Sequence, residues 1–78
     1  PFKAPPDMSR FLLSPMPGLL ADIVVKAGQA VQAGERLAVI EAMKMENILT
    51  AAQDGTVAEV MVERGESLAV DQPILRFA

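Results

Sequence analysis

Seventy-eight residues with a net charge of −3, 51% apolar content and no Cys, His, Trp or Tyr make one small domain. The acidic balance excludes a phosphate-backbone binder, which needs a basic face. Without His or Cys the chain lacks the commonest neutral-pH base, the thiolate nucleophile and the commonest metal ligands. No catalytic residue, no metal and no nucleic acid are expected, so the chemistry has to be brought to the chain.

Residues 1–9 hold three of the six prolines, and Pro5-Pro6 can neither continue a helix nor join a ladder. The segment reads as an extended tether, with Phe2 and Met8 able to dock on a parent chain. A start at Pro1 rather than Met is what a piece cut from something longer would show. No charged-then-apolar leader is read there, and the aliphatic run Leu37–Ile40 is far too short to span a membrane. With no Cys, the expected compartment is the cytoplasm or the mitochondrial matrix.

Residues 10–78 read as one domain that repeats itself with a shift of 37 positions. Gly18 falls on Gly55, Gly28 on Gly65, and Ala21-Asp22-Ile23-Val24-Val25 on Ala58-Glu59-Val60-Met61-Val62. Val31 meets Leu68, Leu37 meets Ile74, Ile40 meets Phe77, and Gly34 has Asp71 as its partner. Two such halves imply a pseudo-two-fold in which neither half buries its apolar face alone.

Strands are expected near 10–14, 18–25, 36–42, 45–51, 55–62 and 73–77, with short bridges near 29–31 and 67–69. Period-two alternation places Ala21, Ile23 and Val25 on one face and Asp22 on the other, with Ala58, Val60, Val62 and Glu59 repeating the pattern. Polar turns at Lys26–Gln29 and Glu63–Glu66 each carry a glycine able to take positive φ. Short strands at this spacing indicate an all-β sandwich or flattened barrel.

The stretch Glu35–Glu46 resists that reading, since it contains no Gly, Pro, Asn or Asp and its propensity is helical. The repeat overrides propensity, because Leu37–Ile40 copies the Pro-led Ile74–Phe77. Two strands then meet in a hairpin whose tip lies near Met43-Lys44. Neither residue is a favoured turn former, where Asn-Gly would be expected. A turn that breaks local rules is a place to look for function.

That tip reads Glu41-Ala42-Met43-Lys44-Met45-Glu46-Asn47, and upstream stands Ser14-Pro15-Met16-Pro17-Gly18. Ala42-Met43-Lys44-Met45 resembles the attachment motif of biotinyl domains, the carboxyl carriers of biotin-dependent carboxylases, and Pro15–Gly18 is similar to the segment that opens them. The resemblance covers residues 10–78 and implies two four-stranded antiparallel sheets with quasi-two-fold symmetry and a modified lysine at a hairpin tip. It implies that Lys44 carries biotin in amide linkage, installed by a biotin protein ligase. A biotin carboxylase site and a carboxyltransferase site are then visited in turn. No thumb insertion precedes the motif, which favours the compact carriers of acyl-CoA or pyruvate carboxylases. The motif region is most similar to the C-terminal end of propionyl-CoA carboxylase α subunits.

An ordinary lysine titrates near about 10.4, so its amine is protonated and a poor nucleophile at neutral pH. Glu41 and Glu46 flank Lys44, and no cationic neighbour stands there to activate it, so deprotonation falls to the ligase. Met43 and Met45, in opposite phase to Ala42, read as surface contacts for the ligase or the carboxylase sites rather than core methionines. Pro15 and Pro17 shape the backbone entering the second strand. Gly18, Gly28, Gly55 and Gly65 are assigned to the fold, because their doubled positions track it. Two rivals share the architecture. A lipoyl carrier usually has Asp before its lysine and Ala after it, where this chain has methionines. A structural barrel-sandwich module would need no attachment motif at all.

Overall fold

The computed structural model describes residues 10–78. The tether expected at 1–9, with Phe2 and Met8, lies outside the described residues. Eight strands follow in order: β1 (Phe11–Leu13), β2 (Gly18–Ile23), β3 (Ala30–Val31), β4 (Arg36–Ala42), β5 (Met45–Thr50), β6 (Gly55–Val60), β7 (Ser67–Leu68) and β8 (Pro73–Phe77). They form two four-stranded sheets, β1-β8-β6-β3 and β5-β4-β2-β7, with every pairing antiparallel. A shift of 37 residues converts each sheet into the other. The expected all-β architecture is the one observed, and the helix-prone Glu35–Glu46 stretch pairs as β4 and β5.

The repeat extends to hydrogen bonds. Gly28 donates its N–H to Val57 O at 2.7 Å, and Gly65 donates to Leu20 O at 2.8 Å. Each turn thus closes on a strand of the other half. Gly28 (φ 90°) and Gly65 (φ 92°) hold the left-handed conformation that an L side chain resists. Gly34 (φ 85°) and Asp71 (φ 63°) do the same at the second pair of turns, donating to Ala51 O and Ser14 O at 2.7 Å each.

Two apolar clusters fill the interior. One gathers Leu20, Ala38, Ile40, Val62, Leu68 and Ile74, while the other gathers Val25, Val31, Leu37, Ala51, Val57 and Leu75. Both draw on both halves, which is why neither half could fold on its own core. Fully burying one Leu or Ile stabilises by about 1.5–3 kcal/mol, so these clusters dominate folding.

The strict alternation expected in the second and sixth strands is broken. A bulge at Ala21 steps β2 from Leu20 opposite Ile40 to Asp22 opposite Val39, and Ala58 does the same in β6. The extra residue resets the phase. Leu20 and Val57, both 0% exposed, become the deep core residues. Ile23 and Val60 remain equivalent and half-buried, while Asp22 and Glu59 stay outward beside Arg64 and Arg76 at 3.9 and 3.5 Å.

Candidate functional site

The β4–β5 hairpin is the longest pairing in the molecule, running from Arg36 opposite Thr50 to Ala42 opposite Met45. Only Met43 and Lys44 remain to turn the chain. Both lie in the left-handed region, at φ 53° and 65°, as a type I′ hairpin turn demands. Residues with a Cβ carry a penalty of roughly 1–2 kcal/mol each in that region. The turn is therefore held against local preference by the ladder beneath it.

The strain presents its side chains outward. Lys44 is exposed and forms no ion pair among the described residues. Met43 is 93% exposed and Met45 64%, so both stand at the surface rather than in the core. Ala42 is half-buried, the last small residue before the turn. Glu41 and Glu46 face each other across the ladder, with Leu19 of β2 beside Glu41. The tip is thus one cation between two apolar side chains, with two carboxylates at its base. Among the described residues no group of three or more potential ligands could hold a metal.

Far from the tip, a groove of about 330 Å³ opens between Phe11, Leu12 and Phe77 on one side and Thr50–Gln53 on the other. Thr50 at its rim is the last residue of β5, about 20 Å of strand from Lys44. Residues 10 and 78 flank this pole, since Phe11 pairs with Arg76 and Phe77 lines the groove.

Gly18 and Gly55, equivalent positions of the repeat that the sequence assigns to the fold, differ in their surroundings. A Cβ on Gly18 would lie 2.7 Å from Ile40 Cγ2, 2.8 Å from Glu41 O and 3.2 Å from Ala42 Cβ. On Gly55 its nearest neighbour would be Phe77 Cδ1 at an ordinary 3.7 Å. The unlike lead-ins, Pro15-Met16-Pro17 against Ala52-Gln53-Asp54, were the available signal.

Residues 11–77 match the family described as Biotin-requiring enzyme. The chain is 54% identical over 77 residues to the propionyl-CoA carboxylase alpha chain of Ruegeria pomeroyi, covering 99% of this chain and 11% of that one. It is 46% identical over 66 residues to the mitochondrial propionyl-CoA carboxylase alpha chain of Homo sapiens, covering 85% and 9% respectively. A solved single-chain, multi-domain long-chain acyl-CoA carboxylase superposes with a TM-score of 0.81 at 30% identity, over 86% of this chain and 7% of that one. The chain spans about a tenth of the length of these relatives.

Proposed function

The chain belongs to the biotin-requiring enzyme family, and from that premise we propose that Lys44 is its attachment residue, carrying biotin in amide linkage. One observation carries the reading: the Ala42-Met43-Lys44-Met45 sequence spans a two-residue turn whose lysine is exposed and, among the described residues, forms no ion pair. Bound there, biotin would supply a ring nitrogen that takes up and releases a carboxyl group. The residues of the chain do the rest. Lys44 Nζ would lose its proton inside the biotin protein ligase and attack the biotin carboxyl activated there as its adenylate; the C–N bond forms as the C–O bond to AMP breaks, and the amide so formed removes the charge. Met43 and Met45 offer apolar contacts on either side, and Ala42 leaves room beneath the turn.

The carrier body, residues 10–78, then moves the carboxyl group from a biotin carboxylase site to a carboxyltransferase site of the parent protein. Residues 1–9 serve as tether. The attachment point and the two described ends of the chain stand at opposite poles, which supports this role. A tip at the pole opposite residue 10, where the described chain begins, can enter two active sites with its own body behind it. An acyl-CoA is the favoured acceptor, propionyl-CoA first, because the 54% identity is to a propionyl-CoA carboxylase chain. Among the described residues no helix is long and apolar enough to cross a membrane.

Co-expression with a biotin protein ligase followed by intact-mass measurement tests the assignment. A biotin-sized addition mapped to Lys44 is the expected result. A lipoyl-sized addition would make this a lipoyl carrier, and no addition a structural module.

A further inference from the structure

We propose that Gly18 is a positioning residue for Lys44, its missing Cβ allowing β2 to pass against the end of β4 and fix the height of the hairpin tip. The proposal rests on the reading of Lys44 as attachment site. Conformation does not require glycine here, since Gly18 is not among the positive-φ residues, unlike Gly28, Gly34 and Gly65. Space does. Carbon atoms in contact stand about 3.5–4.0 Å apart, well beyond the 2.7 and 2.8 Å that a Cβ would meet.

Neither neighbour can yield in place. Ile40 is fully buried and Glu41 O belongs to the backbone of β4. On the other side Gly18 lies opposite Leu68, also buried. A methyl group at position 18 must therefore lift the end of β4, where Ala42 sits two residues before Lys44. The approach of β2 is fixed in turn by the segment before it. Buried Ser14 donates its hydroxyl to Met16 O at 2.6 Å, between two prolines that narrow the backbone further. The other half has no such lead-in; there Asp54 Oδ1 accepts from Ala33 N at 2.8 Å, and Gly55 stands in open contact. The close approach exists only on the side that carries the lysine, so it serves the tip rather than the repeat.

Three variants of the 78-residue chain test this: Gly18→Ala, Gly55→Ala, and Val57→Ala as a destabilised control far from the tip. Ligase labelling is followed by intact mass at a temperature where circular dichroism shows each folded. Gly18→Ala should lower kcat/KM at least about tenfold, chiefly through kcat, because a displacement near 1 Å can reduce a reaction rate about a hundredfold. Gly55→Ala and Val57→Ala should stay within about twofold of wild type, whatever their melting temperatures. Wild-type labelling of folded Gly18→Ala would overturn the proposal, as would equal slowing in Val57→Ala, which would make stability the cause. Should Gly18→Ala not fold, hydrogen exchange on the wild type decides. Tip amides as protected as those of β2 support the anchor, and tip amides that fray while β2 stays closed overturn it. Lys44→Arg run alongside separates the two readings: labelling of that variant would remove the attachment site itself, whereas its silence leaves Gly18 to be judged alone.

Discussion

The left-handed turns of this molecule fall into two kinds. Gly28 and Gly65, and Gly34 and Asp71, stand 37 residues apart and close on the opposite half with matching hydrogen bonds. Met43 and Lys44 have no such partner among the described residues and close on nothing but their own hairpin. Three of the four paired positions are glycine, where the conformation is easily adopted; both unpaired positions are long side chains, where it is resisted. Turns that build the fold mostly follow local preference, and the turn that breaks it holds the lysine proposed as the attachment residue. The strain is tolerable because the ladder below is the longest in the protein.

Replacing Lys44 by Arg should produce the largest effect. The guanidinium stays protonated and cannot act as an amine nucleophile, so labelling by the ligase should disappear. Charge and length are kept, so the melting temperature should stay within a degree or two. Labelling retained at Lys3 or Lys26 would erase the distinction between the two kinds of turn.

Core truncation sharpens the comparison from the other side. Leu37→Ala and Ile74→Ala, fully buried equivalents, should each lose about 2–5 kcal/mol in denaturant unfolding. Labelling of the folded fraction should be unaffected by either. A loss in one without a loss in the other would show that the two halves do not share the load.

A smaller effect of opposite sign is expected at the tip. Met43→Gly relieves a left-handed side chain and should stabilise by about 1 kcal/mol, a rise of several degrees in Tm. Labelling should nonetheless slow, since an apolar contact beside Lys44 is lost; Met43→Ala, which keeps the strain, separates the two effects. Smallest of all are Asp22→Ala and Glu59→Ala. Their partners Arg64 and Arg76 are solvent-exposed, and surface pairs of this kind contribute about 0–1 kcal/mol. Thermal shifts of more than a few degrees would show that these pairs are not the solvent-screened contacts their exposure implies.

Most of the strand plan was legible because two weak signals shared one phase. Glu35–Glu46 alone reads as a helix, and only its alignment with Pro73–Phe77 makes it a strand. Period-two alternation points to Val25 and Val62, and the repeat pairs Val31 with Leu68 and Leu37 with Ile74; all six are buried. Carried back to Leu20 and Val57, the same alternation would turn both outward, because one extra residue at Ala21 or Ala58 leaves no mark on composition yet reverses the faces on either side of it. The lysine motif was equally plain, since four contiguous residues specify a tip without reference to any other part of the chain.

The sequence by itself determined the repeat, the all-β class, the glycine turns and the lysine at position 44, because each depends on residue type at fixed spacing. Tertiary structure decided what no spacing encodes: where the bulges reset the faces, and that Gly18 and Gly55, equivalent in the repeat, are unlike in space. Repeat position records which residue stands where along the chain. Whether a methyl group would fit there depends on how closely a strand from elsewhere in the chain passes, and at Gly18 that strand is the one that carries the tip.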